Sequence, residues 1–439
     1  MRAGKKIRIS QCMIVKNEEK NIEKALSWGR SVMWEQIVVD TGSTDRTVEI
    51  AKKLGAKVFS FPWIDDFAAA KNYAIGKATG AWIALLDADE YMTPKDAGKL
   101  PNLLRQLEER KLEGLSTGWQ QLDDEGKIFS SGTQIRIFRN DPDIRYRRRI
   151  HEQLESVSGR ELRVGDAVQE LSIFHTGYQS RPSEEKKKSG RNRRIIGEEL
   201  KDHPEDYEML GYMGDECFGD GEPKEAEAWY RRAIACMPAS LEEYDQRSAV
   251  TFTRLLSLLT EQEHTSPEEM EKIYQKAVGL LPKEADFDYM LGRFFADKEQ
   301  PEQAIRYLET ALSKLDAYGC NNRALILAGN LLEAYDLLVR CCFEAGNSQK
   351  CVNYAVTYLR YDPYGMGVLT RLLRTLLPES GGQAEQEAVL GFLKKLYDVS
   401  SLKDRLFLVK AAEHSDRMDF TNYLRQGLFT AEEQQQVGL

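Results

Sequence analysis

Asp87 and Asp89 stand one residue apart in the stretch LLDADEY, residues 85–91, directly behind the apolar run AWIALL. Charged side chains are seldom buried unless they are paired or hold a metal. The spacing leaves two readings: an ordinary acidic turn, or carboxylates meeting a cation at the carboxyl end of a strand. A hard divalent ion suits the second, because Mg2+ or Mn2+ takes one or two carboxylates and completes its shell with waters and substrate phosphates. Two further polar motifs close apolar runs in the same manner, KNEE (16–19) after ISQCMIV and DTGSTD (40–45) ending EQIVVD.

Other chemistries find no support in the pattern. No GxxxxGK[ST] phosphate loop is present, and no GxGxxG follows the first strand, which argues against a P-loop or a dinucleotide fold. No Cys–His arrangement stands out. The seven cysteines show neither CxxC nor metal-ligand spacing, so they read as free thiols of a reducing compartment. At 42% hydrophobic and 30% charged, the 439 residues describe a globular, cytoplasmic protein of two or three domains. A net charge of −9 argues against nucleic acid as a partner. The basic start MRAGKKIRIS leads into an apolar run too short for a signal peptide or a membrane span.

The elements that must carry these motifs alternate. Strands are predicted over IRISQCMIV, EQIVVD, KVFSF and AWIALLDAD. Helices are predicted over EEKNIEKALSWGRSV, DRTVEIAKKLGA and DDFAAAKNYAIGKAT. Strands separated by helices of this length imply βαβ units and a mostly parallel sheet, whose ligands bind beyond the carboxyl ends of the strands. The three polar motifs should then lie along one edge. GKIFSSGTQIRIFRN (126–140) alternates like a strand on the acceptor side.

Past residue 200 the pattern is helical throughout. Gly214, Gly221, Ala226, Tyr230, Ala233 and Pro238 fall at tetratricopeptide spacing, and Leu291, Gly292, Phe295, Ala304 and Ala311 repeat it. Weaker copies lie at YQKAVGLLP and LLVRCCFEAGNSQKCVNYAVTYLRYDP, so the array is irregular. The organisation read from pattern is a catalytic domain over 1–180, a basic helical connector over 181–200, helical repeats over 201–375, and helices with a tail over 376–439. Stacked repeats make a concave surface, suited to a peptide, a partner protein or a second copy of the chain in a homodimer.

ISQCMIVKNEEKNIEKAL, IVVDTGSTDRTVEIA and FAAAKNYAIGKATGAWIALLDADEYM together resemble the nucleotide-sugar half of the family 2 glycosyltransferases, with their A-type fold. Three separated motifs in the right order carry the likeness over residues 7–94. The later RIHEQL and IFHTGY, followed by helical repeats, resemble a bacterial subgroup that includes peptide S-glycosyltransferases of the sublancin type. The resemblance implies metal-dependent, inverting transfer of a sugar from a nucleotide sugar such as UDP-glucose to a peptide, glycan or other acceptor. Two readings stand against it. One is an inactive sheet domain serving a repeat module that binds a partner; the other is a nucleotidyltransferase, which the Gly-free IVKNEEKN disfavours.

Carried onto this chain, the resemblance implies that Asn17 and Glu18 line the nucleotide pocket. Asp40 would accept a hydrogen bond from the base, with Ser43 and Asp45 in the adjacent loop; the alternative for Asp40, and more so for Asp45, is a helix N-cap. Lys71 and Asn72 would reach the diphosphate or the sugar, the alternative for Lys71 being a solvated helical lysine. Asp87 would contact ribose or sugar and Asp89 would be the principal metal ligand, with Glu90 extending the motif or lying at the surface. Glu152 is the candidate base beside His151, and His175 the candidate metal histidine; buried, hydrogen-bonded histidines are the alternative for both.

Overall fold

The structure, a computed structural model, describes residues 6–176, 190–319, 325–377 and 382–438. The chain divides into two compact units, 1–204 and 205–439. The basic connector expected over 181–200 lies partly outside the described residues. Its remainder belongs to a helix of the first unit, α5 (Arg191–Asp202), where Arg194 pairs with Asp65 at 2.7 Å and Arg191 lies over the Phe67 ring.

In the first unit, β1 (Ile9–Val15) is buried along nearly its whole length, as a strand covered on both faces must be. It pairs in parallel with β2 (Glu35–Asp40) on one side and β4 (Trp82–Leu85) on the other, and β3 (Lys57–Ser60) adds in parallel to β2. Val15 lies opposite Asp40, so the three motif-bearing strands do end at one edge. One face packs Cys12, Ile37, Val39, Ile83 and Leu85 against Ala74 and Ile75 of α3 (Phe67–Gly76). The other packs Met13, Val15 and Val38 against Ile22 and Leu26 of α1 (Ile22–Ser27) and Ala51 of α2 (Thr47–Lys53).

The sheet continues further than the alternation indicates. Its order is β3-β2-β1-β4-β7-β6-β11-β5, with β10 (Val164–Asp166) added to β6. A long antiparallel hairpin, β6 (Gly114–Leu122) and β7 (Ile128–Arg139), joins β4 through β7. β11 (Ser172–His175) returns between β6 and the three-residue β5 (Glu90–Met92). α4 (Pro94–Glu109) buries Leu100, Leu104 and Leu107 against this half of the sheet. A separate ribbon pairs β8 (Ile144–Arg147) with β9 (Gln153–Ser156).

Two of the elements shorter than their sequence pattern bear on the motifs. The helix expected from residue 18 begins at Ile22, because the residues before it form a turn in which the Glu18 carbonyl accepts from Asn21 and Ile22. The strand expected through Asp89 ends at Leu85, and residues 87–89 are a turn into β5.

Glu35 locks the far end of the central strands. Its side chain, 4% exposed, accepts from Lys57 at 2.6 Å, Ser10 at 2.7 Å and the Thr79 backbone at 2.6 Å. Burial alone would raise its carboxyl, but these donors outweigh it and bring the pKa down to about 2. A carboxyl depressed on folding stabilises the fold above its ordinary value near 4.5 and loses that contribution as pH falls toward 2. Glu35→Gln is therefore expected to cost about 2–3 kcal/mol at neutral pH. Urea unfolding should also show the variant's stability varying less than wild type's between these two pH values.

The second unit is all-α and tetratricopeptide-like. Helix pairs 207–219 with 223–236, 285–297 with 301–318, and 331–344 with 348–361 carry the repeats read from spacing. The small residues have a steric cause. A methyl group at Gly214 would collide with the Tyr230 ring, and one at Gly292 would lie 2.6 Å from Leu308. Only glycine lets the two helices of these two pairs approach this closely.

Candidate active site

The loops after β1 and β2 are bound to each other. Asn17, at φ 57°, donates its backbone N–H to Ser43 Oγ at 2.9 Å and accepts from the Thr44 backbone at 2.8 Å. The Glu18 backbone donates to Thr47 Oγ1 at 2.7 Å, and that of Glu19 to Asp45 Oδ2 at 3.1 Å. Asp45 also accepts from the Thr47 backbone at 3.0 Å, just ahead of α2. Asp40 closes its own turn, accepting from the Ser43 backbone at 3.1 Å, and does not cap the helix, which starts at Thr47. The four polar residues expected in the nucleotide pocket thus build a rigid rim, with Asp40 at its base.

Asp87 and Asp89 have different partners. Asp87 lies 3.5 Å from Lys71 Nζ and 2.8 Å from Arg136 Nη2. Burial would raise its carboxyl, but Lys71 and then Arg136 hold it well below the usual carboxylate range. Asp89 Oδ2 instead lies 3.4 Å from His175 Nε2, the side chains being 21% and 15% exposed. β11 places His175 opposite Glu90 in register, and Thr176 anchors the Asp89 carbonyl through its backbone N–H at 3.0 Å. Burial would lower the His175 pKa, but the hydrogen bond and charge of Asp89 raise it.

Lys71 is not the solvated helical lysine that the sequence left open. Its ammonium is 4% exposed and bridges Asp87 and Glu152, over the Tyr146 ring. Burial pushes its pKa down, and Asp87 with Glu152 more than restores it, to above the usual lysine range. Asn72 is likewise committed: its amide donates to the Tyr146 carbonyl at 2.8 Å and accepts from the Tyr146 backbone at 3.0 Å. The Lys-Asn pair fastens the segment that bears His151 and Glu152 to α3. That segment is further held by Phe67 donating to the Arg149 carbonyl at 2.8 Å, and carries positive φ at Arg148 (72°) and His151 (51°).

Sequence reasoning missed Arg136 and Trp119, and of its two readings of Glu90 the surface one fails. Glu90 is buried, not superficial. It accepts from Arg136 at 2.8 Å, Trp119 Nε1 at 2.9 Å and the Asp87 backbone at 2.9 Å, and burial raises its carboxyl. Only the alternation of β7 hinted at Arg136, which lies 49 positions from Asp87. Arg136 Nε and the Tyr146 hydroxyl are buried without a hydrogen-bond partner among the described residues.

The residues fit a divalent cation. Asp89 and His175 offer an oxygen and a nitrogen 3.4 Å apart, a separation that two ligands of one ion adopt when each binds at about 2.1–2.2 Å. The charges agree: four carboxylates (Asp87, Asp89, Glu90, Glu152) against two cations (Lys71, Arg136), counted as ionised, leave two negative charges. Such a site has one carboxylate and one imidazole, with the remaining positions left to water and substrate.

The profile of Glycosyl transferase family 2 matches residues 10–164. A TPR repeat-containing protein of Synechococcus elongatus is 31% identical over 306 residues, 68% of either chain. The chain belongs to the family 2 glycosyltransferases. This glycosyltransferase is also 28% identical over 230 residues to the SPbeta prophage-derived glycosyltransferase SunS of Bacillus subtilis, covering 51% of its own length and 52% of that protein. It thus spans about half the length of that relative. Among solved structures, S. aureus TarS 1-349 matches at 16% identity over 68% of this chain and 89% of that one, with a TM-score of 0.31, too loose a likeness to bear on the site. Among the described residues no helix is long and apolar enough to cross a membrane.

Proposed function

We infer that this enzyme is a divalent-cation-dependent, inverting glycosyltransferase that takes a sugar from a uridine-diphosphate donor and delivers it to a hydroxyl or thiol of a peptide or protein. The observation that carries the reading is the Asp89–His175 pair, 3.4 Å apart at the edge where β1, β2 and β4 end. Asp89 and His175 would hold Mn2+ or Mg2+. When bound, the ion would draw charge off the departing diphosphate. The rim made by Asn17, Glu18, Ser43 and Asp45 receives the nucleoside, with Asp40 toward the base. Arg136 and Lys71 fix Asp87 for the ribose or sugar.

Glu152, oriented by Lys71, accepts the acceptor's proton, with His151 beside it. The acceptor oxygen or sulfur bonds the anomeric carbon from the face opposite the diphosphate, and the carbon–oxygen bond to the diphosphate breaks with its electron pair. No sugar–enzyme bond is required. The tetratricopeptide-like unit, whose stacked helix pairs offer a surface for an extended chain, supports a peptide or protein acceptor. The same unit offers a surface for a homodimer.

Calorimetry with UDP tests the reading. UDP is expected to bind with Mn2+ or Mg2+ present and to lose at least about tenfold in affinity when the ion is chelated. Equal affinity in both conditions would remove the cation from the site. Absence of binding in both would favour an inactive sheet domain serving the repeats.

A further inference from the structure

The strand carrying His175 is gripped from both sides. β6 supplies Trp119, whose ring centroid lies 5.0 Å from that of His175 at an interplanar angle of 32°. β5 supplies Glu90, directly opposite His175 in register. Trp119 joins the two: its face lies against the imidazole and its Nε1 donates to Glu90 at 2.9 Å. Glu90 is in turn fixed by Arg136 and by the Asp87 backbone, at 2.8 and 2.9 Å. The indole therefore cannot rotate without abandoning a fully buried carboxylate, and the imidazole cannot rotate without displacing the indole.

Strand pairing does not need this arrangement. Burying an ion pair carries a desolvation cost that apolar residues of similar volume would avoid, so Glu90 and Arg136 add little that packing could not supply. What the network does supply is orientation, at the residue beside Asp89. Resting on the cation reading above, we propose that Trp119, backed by Glu90, is a positioning residue that holds the His175 ring so that Nε2 and the Asp89 carboxylate face one divalent ion. Outer-shell partners that hydrogen-bond metal ligands change metal affinity by about 10–100-fold when removed, which sets the scale expected for a packed ring that fixes the imidazole.

The test titrates Mn2+ into the full chain at saturating UDP and follows free Mn2+ by electron paramagnetic resonance. Trp119→Phe keeps an aromatic face but loses the donor to Glu90, and should raise the Mn2+ Kd by about tenfold. Trp119→Leu loses both contacts and should raise it by about 100-fold; if it does not fold, the Phe variant carries the test. A merely structural tryptophan would lower the Tm and leave the Kd of the folded protein unchanged, and that result would overturn the proposal. Wild-type protein that takes up no Mn2+ would defeat the cation reading, and this proposal with it. Wild-type binding matched by both variants would defeat the proposal alone.

Discussion

Asp89→Ala is expected to lower turnover by about a thousandfold or more while moving the thermal midpoint by no more than a few degrees. The asymmetry follows from what surrounds the two aspartates. Asp87 is held by two buried cations, so its removal would disturb Lys71 and Arg136. The Asp89 side chain contacts His175, and its backbone carbonyl, which survives the substitution, keeps both hydrogen bonds from Thr176. The variant should therefore fold with β5 and β11 still paired and lack only the carboxylate at the proposed cation position. Steady-state transfer or donor hydrolysis, read beside a melting curve, decides the matter. Turnover near wild type in a folded variant would show that Asp89 holds no catalytic ion.

The half of the sheet that binds the nucleotide in this reading was legible because each strand there is a separate apolar run closed by a polar motif. Val15 opposite Asp40, with β4 on the other side of β1, is what parallel βαβ units require of those runs. The repeats were legible for a different reason: Gly214 against Tyr230 and Gly292 against Leu308 are local pairs whose spacing the helix period sets. Neither signal reaches the rest of the site. β5 has three residues, too few to show alternation, and β11 enters the sheet between strands distant in sequence. Arg136 meets Glu90 across 46 positions, and Trp119 meets it across 29, so no local pattern could have joined them.

Lys71 shows the complementary failure. FAAAKNYAIG has so many small apolar residues that its buried face cannot be told from its exposed one, and a lysine there reads as solvated or as reaching for phosphate. Topology decided otherwise, by bringing the turn after β4 and the segment after β8 onto the same helix. A charge that periodicity leaves free became the link between Asp87 and Glu152.

That link sets the second large effect. Lys71→Met should lower unfolding stability by about 3–5 kcal/mol, because it leaves the largely buried Glu152 carboxylate without its cation and Asp87 with Arg136 alone, while filling much the same volume. A lysine whose main work is to grip a diphosphate would instead leave stability nearly unchanged and weaken nucleotide binding alone. The cost should also be partly recoverable. In Lys71→Met with Glu152→Gln, the stranded charge is gone, so the double variant is expected to be more stable than Lys71→Met by about 1–2 kcal/mol. Urea unfolding of wild type, both single variants and the double variant closes the cycle. If Lys71→Met unfolds at the wild-type midpoint with the wild-type slope, the ammonium does not hold the site together, and its place returns to the substrate.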